Sequence, residues 1–229
     1  MMKKIFLFLL IFNPIISFSQ IEGFAIVHDK DGYTNVRYRP DLKSKIVGTL
    51  KDKEVFFAMS EAGKNDWIEI GKPNLQGFIH KSRAIPFSSF PEIKGFVENE
   101  NYVKFHNKAI TLEIVSEKFN LKTNKIQKGS DAKVIEKINA KRFYGTDGDL
   151  PKTSFKSIVC KIDNQEIFVG REQLNDIFEP NLSNAEAYFD AKTETIYFSM
   201  YNSDGAGGYY LGFIFHKNEK PQRYIFNEF

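Results

Sequence analysis

The sequence predicts a mainly β protein: a small N-terminal barrel, then a C-terminal antiparallel β domain (a sandwich or meander) with one short helix. Three observations lead there. Between Gly23 and Phe87, short β-prone runs alternate with turn residues at intervals too brief for helices. In the last third, four further runs rich in Tyr, Phe and Ile are joined by short connections. Strand and helix patterns do not alternate as a doubly wound sheet requires. With 23 Phe and 10 Tyr among 229 residues, such strands can fill a core, and a single Cys leaves no internal disulfide to help them.

Residues 1–19 read as a secretory signal peptide. Lys3 and Lys4 precede the apolar run Ile5–Phe12, Asn13-Pro14 interrupts it, and Ser17 and Ser19 are small residues just before a cut at Gln20. The run falls short of the roughly 20 apolar residues of a membrane span. The expectation is therefore an exported protein, periplasmic or secreted, with no membrane contact after cleavage. Loss of the two lysines takes the formal charge from +3 to +1. Residues 21–87 carry eleven basic and nine acidic side chains and residues 88–229 nineteen and twenty, so neither half is a charged patch. That balance argues against nucleic acid as a partner.

Residues 23–87 hold the barrel strands: Phe24–Val27, Asn35–Arg39, Lys45–Leu50, Glu54–Met59, Asp66–Ile70 and Gly77–His80. Asp29-Lys30-Asp31-Gly32 is a turn between the first two. Asp66-Trp67-Ile68-Glu69-Ile70 alternates polar and apolar residues, as a half-buried strand does.

The runs DGYTNVRYRPDLKSKIVGTL (31–50), NDWIEI (65–70) and GFIHKSR (77–83) resemble a bacterial SH3 domain. In that family an N-V-R-x-x-P element precedes an I-G-x-L strand, a Trp strand and a closing G-[YF]-[IV] strand. The resemblance covers about 65 residues and implies an SH3-like barrel in an envelope or secreted protein, of a kind that often binds cell-wall peptides. Tyr33, Tyr38 and Phe57 are candidates for lining a peptide groove, and Trp67 reads either as core or as a ligand platform. Arg37 is expected to pair with a carboxylate or to cap carbonyls.

Pro86 and Pro91 with Ser88 and Ser89 mark a boundary, and 88–100 reads as a linker whose residues 92–100 are alternatively the next unit's opening strand. In the β domain, residues 101–229, strands are expected at Ala109–Phe119, Lys133–Ile138, Ser157–Ile162 and Glu166–Val169, the last two around a turn at Asp163-Asn164-Gln165. Glu172–Glu179 puts Leu174, Ile177 and Phe178 on one face of a short helix that Pro180 ends. The final meander is Ala185–Asp190, Thr195–Tyr201, Tyr209–His216 and Arg223–Phe226. Two loops, 144–151 and 202–209, carry Asp-Gly, and the second has three glycines in four residues. With the Ile177–Asn181 element between them, this half is loosely similar to exported bacterial proteins of no assigned function.

The chemistry-bearing residues are sparse. The glycine loop lacks the Gly-Lys-Ser/Thr and following helix of a phosphate cradle. Asp147, Asp149 and Asp204 lack calcium-loop spacing, and no metal or cofactor is expected. Asp147, Asp204 and Tyr209 stay as candidate ligand contacts. Cys160 lies in a strand pattern rather than at a helix start, with His216 the only His after it, which favours an inert thiol over a nucleophile. Glu172, Glu179 and Glu186 are the acids a glycosidase reading would need. The reading is an exported, non-catalytic binding protein whose barrel holds a cell-wall peptide or an envelope protein. Its alternatives are a cell-wall hydrolase and an inhibitor or immunity protein acting on a lytic enzyme through the 204–208 loop.

Overall fold

The computed structural model describes residues 22–59, 66–203 and 205–227. Residues 1–19, where a signal peptide is expected, and Asp204 lie outside them.

The N-terminal strands are β1 (Gly23–Val27), β2 (Tyr33–Arg37), β3 (Ile46–Lys51), β4 (Val55–Ala58), β5 (Trp67–Lys72), β6 (Leu75–His80) and β7 (Ala84–Pro86). They form one antiparallel sheet in the order β3-β2-β6-β5-β4-β1-β7. Alternate residues of every strand point to one core: Leu50, Val36, Ile79, Ile68, Ile70, Phe56, Ala58, Ala25 and Val27, with Ala84 against them. Strands from both ends of the sheet share that core, so the sheet is curled around it. Its tight β5–β6 turn is Pro73-Asn74: Pro73 presets a turn φ, and Asn74 takes the left-handed conformation at φ +64°.

Residues 88–100 are structured. Residues 91–93 run beside a later strand: the Phe189 amide donates to the Pro91 carbonyl at 2.9 Å and the Ile93 amide to the Ala187 carbonyl at 2.8 Å. Then come β8 (Gly95–Asn99), β9 (Tyr102–His106), β10 (Ile110–Lys118), the short pair β11 (Ile126–Lys128) and β12 (Ile135–Ile138), β13 (Thr153–Ile162) and β14 (Gln165–Phe168). A five-stranded antiparallel sheet has the order β14-β13-β10-β9-β8. The β13–β14 turn is Asp163-Asn164, with Asp163 at φ +52°.

The last strands, β15 (Glu186–Asp190), β16 (Thr195–Asn202), β17 (Tyr209–Phe215) and β18 (Gln222–Phe226), form an antiparallel meander in chain order. One face packs on the five-stranded sheet, closing a sandwich core of residues such as Leu112, Ile114, Ile158 and Cys160 against Ile196, Phe198, Leu211 and Phe213. The other face packs on the outer side of the curled sheet through Phe24, Val55 and Phe57 against Tyr188, Tyr197 and Ile214, with Tyr210, Tyr224 and Phe226 alongside. The four-stranded sheet is thus the middle of three layers, which is why β16 and β17 read as nearly continuous apolar runs. Glycines set the closeness of the two units reciprocally. A Cβ on Gly71 of β5 would sit 2.3 Å from the Phe226 ring, and one on Gly212 of β17 would sit 2.9 Å from the Phe24 ring.

The expected helix at 172–179 is absent. Only Arg171–Gln173 forms a 3-10 turn. Beyond it the backbone is committed elsewhere: the Asp176 carbonyl accepts from the Tyr144 amide at 2.9 Å, and the Phe178 amide donates to the Tyr144 carbonyl at 3.0 Å. Two helical turns are marginal alone, and these bridges outcompete them. Leu174, Ile177 and Phe178 are buried as expected, but from an irregular segment. That segment is tied to β18 by Arg223, whose guanidinium donates to the buried Asp176 carboxylate at 2.6 and 3.1 Å and to the Gln173 carbonyl at 2.7 Å.

Candidate functional site

Two concavities gather polar and aromatic side chains. The first is an open groove of about 390 Å³ on the curled sheet, with Asp31, Tyr33, Asn35, Leu42, Trp67 and His80 among its walls. Tyr33 starts β2 and is 50% exposed. Trp67 starts β5, half-buried, and meets the His80 ring edge-on at 5.6 Å. His80 Nδ1 accepts from the Ser82 amide at 3.3 Å, which places the neutral ring's proton on Nε2. Arg37 caps a carbonyl, donating to Ser44 O at 2.8 Å, and Arg83 pairs with the buried Asp29 carboxylate at 3.1 Å. Tyr38 lies off the groove and is 64% exposed, with the Arg39 guanidinium 5.8 Å over its ring. Tyr33, Tyr38, Leu42, Ile46 and Val47 are half of the large apolar side chains exposed among the described residues, all within fifteen positions of chain.

Phe57 does not belong to this groove. It is buried between the two units, stacked on Phe226 at 4.2 Å. Its strand neighbour Phe56 takes the inward position, and the pleat turns Phe57 outward into the other sheet.

The second concavity is a cleft of about 940 Å³ between the curled sheet and the four-stranded sheet, lined by Ile26, His28, Ile85, Phe90, Tyr197, Ile214 and His216 among others. A hydrogen-bonded chain runs along one wall. Thr193 Oγ1 donates to Asp190 Oδ2 at 2.8 Å, Thr193 and Thr195 hydroxyls are 2.7 Å apart, and Thr195 Oγ1 lies 2.9 Å from His216 Nδ1. The carboxylate only accepts, so the Thr193 hydroxyl donates to it, while the Thr195 hydroxyl also lies 3.3 Å from the Thr193 carbonyl, to which it can donate. Burial first, and the Asp190 charge second, hold the Tyr197 hydroxyl above its ordinary range. No local sequence signal marks this site: its residues come from five separated segments. The only hint is a polar cluster, Asp190-Ala-Lys-Thr-Glu-Thr195, between two aromatic strands.

The loops at 144–149 and 203–208 meet. The Gly145 amide donates to the Gly207 carbonyl at 3.0 Å, and Ser203 Oγ donates to the Gly145 carbonyl at 2.7 Å. Gly207 lies so close that a Cβ would be 2.7 Å from the Thr146 backbone. Asp147 is exposed on this junction. In the second loop Ala206 is exposed, while Gly207 and Gly208 are buried. Tyr209, expected as a ligand contact, is instead completely buried, and its hydroxyl donates to the Phe178 carbonyl at 2.9 Å, so it braces the core.

Cys160 is fully buried in β13 between Leu112 and Ile167, and burial pushes its thiol up to about 12. A thiol so placed stays protonated near neutral pH. His216, its expected partner, gives Nδ1 to Thr195. Two of the three candidate acids have separate structural tasks. Glu179 accepts from the Thr153 amide and hydroxyl at 3.2 and 3.1 Å, Glu186 accepts from the Tyr188 hydroxyl at 3.0 Å, and Glu172 is exposed beside Gly170.

Comparison of the chain with protein-family models, with curated proteins and with solved structures gives no significant match.

Proposed function

We propose that this chain is an exported, non-catalytic binding protein of the bacterial cell envelope. Its N-terminal unit is an SH3-like barrel that holds a cell-wall peptide, or a short segment of an envelope protein, in the Tyr33–Trp67 groove. One observation carries the reading: the exposed apolar side chains Tyr33 and Leu42 line the same groove as Trp67. Contiguous exposed apolar surface with a polar rim marks an interaction site. Tyr33 and Trp67 supply flat apolar area with a polar edge, while Asn35, Ser82 and His80 supply the donors and acceptors a peptide backbone needs.

The sequence motifs that resemble the bacterial SH3 family lie on strands, which supports this reading: Asn35-Val36-Arg37 ends β2, Gly48-Thr49-Leu50 lies in β3, Trp67 opens β5 and Gly77-Phe78-Ile79 lies in β6. The non-catalytic reading is supported by the burial of Cys160 and by the hydrogen bonds that engage Glu179 and Glu186. Export rests on the 1–19 pattern.

Trp67 is the chain's one tryptophan, so its fluorescence reads the groove directly. Titration of the full mature chain with soluble muropeptides is expected to shift that emission saturably, and Tyr33→Ala to weaken the effect about tenfold, near 1.4 kcal/mol. An unchanged emission spectrum, together with no retention on purified peptidoglycan, would remove the cell-wall reading. The protein-partner form then requires capture of an envelope protein that Tyr33→Ala abolishes.

A further inference from the structure

We propose that the cleft between the two units is a second binding site, for an apolar carboxylic acid: one anionic head on an aliphatic or aromatic body. The proposal does not depend on the groove reading.

The depth profile of the cleft argues for an amphiphile. His216, just past β17, is half-buried, while Thr195 at the start of β16 and the cross-strand pair Tyr197 and Ile214 lie inward of it, Thr195 completely buried. Tyr197 and Ile214 are almost wholly buried, and Ile26 pairs with Ile85 on the opposite wall. Phe90 stacks on Tyr197 at 4.5 Å, with their planes 11° apart, giving the floor a flat aromatic edge. The inner surface is therefore branched aliphatic and aromatic, which favours an apolar body with few polar atoms.

The mouth carries the charge. Lys53, Lys192 and His28 line it and are exposed, and His216 lies behind them. Neither Lys53 nor Lys192 forms an ion pair among the described residues. The one acid lining the cleft, Asp190, is already engaged: its Oδ1 accepts from the Lys192 amide at 2.9 Å and its Oδ2 from Thr193. An entering head group thus meets two unpaired ammonium groups and an acid whose oxygens face other donors. A carboxylate is attracted there and a cationic head is repelled. A neutral alcohol would gain only the floor.

The test is calorimetric titration of the full mature chain with decanoate, decan-1-ol and decyltrimethylammonium. Decanoate is expected to bind saturably at one site per chain, about tenfold more tightly than the alcohol, and the ammonium compound not at all. Lys53→Glu/Lys192→Glu should weaken decanoate at least about tenfold. Both side chains are at the surface, so its thermal unfolding should match that of the parent. Ile85→Trp, which fills the floor, should abolish binding. The proposal is overturned if decanoate fails to bind, if the alcohol binds equally well, or if the double charge reversal leaves decanoate affinity unchanged. Muropeptide titration of Lys53→Glu/Lys192→Glu, which keeps Trp67 the one tryptophan, separates the sites: an unchanged Trp67 groove response with weakened decanoate binding assigns decanoate to the cleft, and a joint loss assigns it to the groove.

Discussion

The interior of the curled sheet and the surface it shares with the four-stranded sheet come from the same strands but differ in side chains. Inside are Ala25, Val27, Val36, Leu50, Ile68, Ile70 and Ile79, with Phe56 the one aromatic. Outside, Phe24 and Phe57 of the same β1 and β4 join Tyr188, Tyr197, Tyr210, Tyr224 and Phe226. A small curled sheet has a narrow interior that branched aliphatics fill. A contact between two sheets is broad and flat, and rings cover it with few atoms out of place. The aromatic contact also keeps hydroxyls within reach of its edge, so it is the region where burial and titration meet. The difference teaches that the seam between the units is aromatic where the interior of the curled sheet is aliphatic.

The largest expected effect comes from breaking that seam. Phe57→Ala removes a ring that stacks on Phe226, meets Phe24 edge-on at 5.3 Å and lies 4.4 Å from Tyr210. It should lower stability by about 4 kcal/mol. Urea unfolding followed by Trp67 fluorescence and by far-ultraviolet circular dichroism should show both midpoints moving together. A shift confined to the fluorescence curve would mean that the units unfold independently.

Alkaline pH should weaken the seam and spare the aliphatic interior. Burial raises the hydroxyls of Tyr188, Tyr197 and Tyr224 above their ordinary value of 10.0. Above that value the unfolded chain loses these protons while the folded chain keeps them. Stability is therefore intact below about pH 10 and falls as pH rises beyond it, by at most about 1.4 kcal/mol per unit for each tyrosine. Tyr197→Phe should make the decline shallower, and Ile79→Val should lower stability by about 1 kcal/mol without altering the slope. Equal slopes in Tyr197→Phe and the parent would refute the assignment.

The smallest effect tests the brace between the 203–208 loop and the core. Tyr209→Phe loses one buried hydrogen bond to the Phe178 carbonyl and should cost about 1 kcal/mol in urea unfolding, leaving muropeptide binding unchanged. Loss of ligand binding without loss of stability would return Tyr209 to the list of contact residues.

Much of the strand plan was legible. All four strands of the final meander lie within two residues of their expected ends, because aromatic runs and short connections are local signals. The Asp163-Asn164 turn was legible for the same reason. Tyr33 is expected along a groove and Trp67 either in the core or on a ligand platform, and the structure puts both on the walls of one groove. Tyr209 and Phe57 were misplaced because a strand pattern shows that a residue points to one face or the other, but not what covers that face. The helix at 172–179 had correct apolar spacing and lost to bridges with Tyr144 and Ser154. The cleft was invisible, since Ile26, Phe90, Tyr197 and His216 share no spacing.

By itself, then, the sequence determined a β architecture, most strand limits and the turn chemistry between them, because pleat alternation and turn conformations are set by residues a few positions apart. Tertiary structure alone decided that the meander is covered on both faces, that the two Asp-Gly loops touch, and that a cleft opens between the units. Those outcomes depend on which side chains meet across long stretches of chain, and Gly71 beneath Phe226 and Gly212 beneath Phe24 have meaning only once the sheets are stacked.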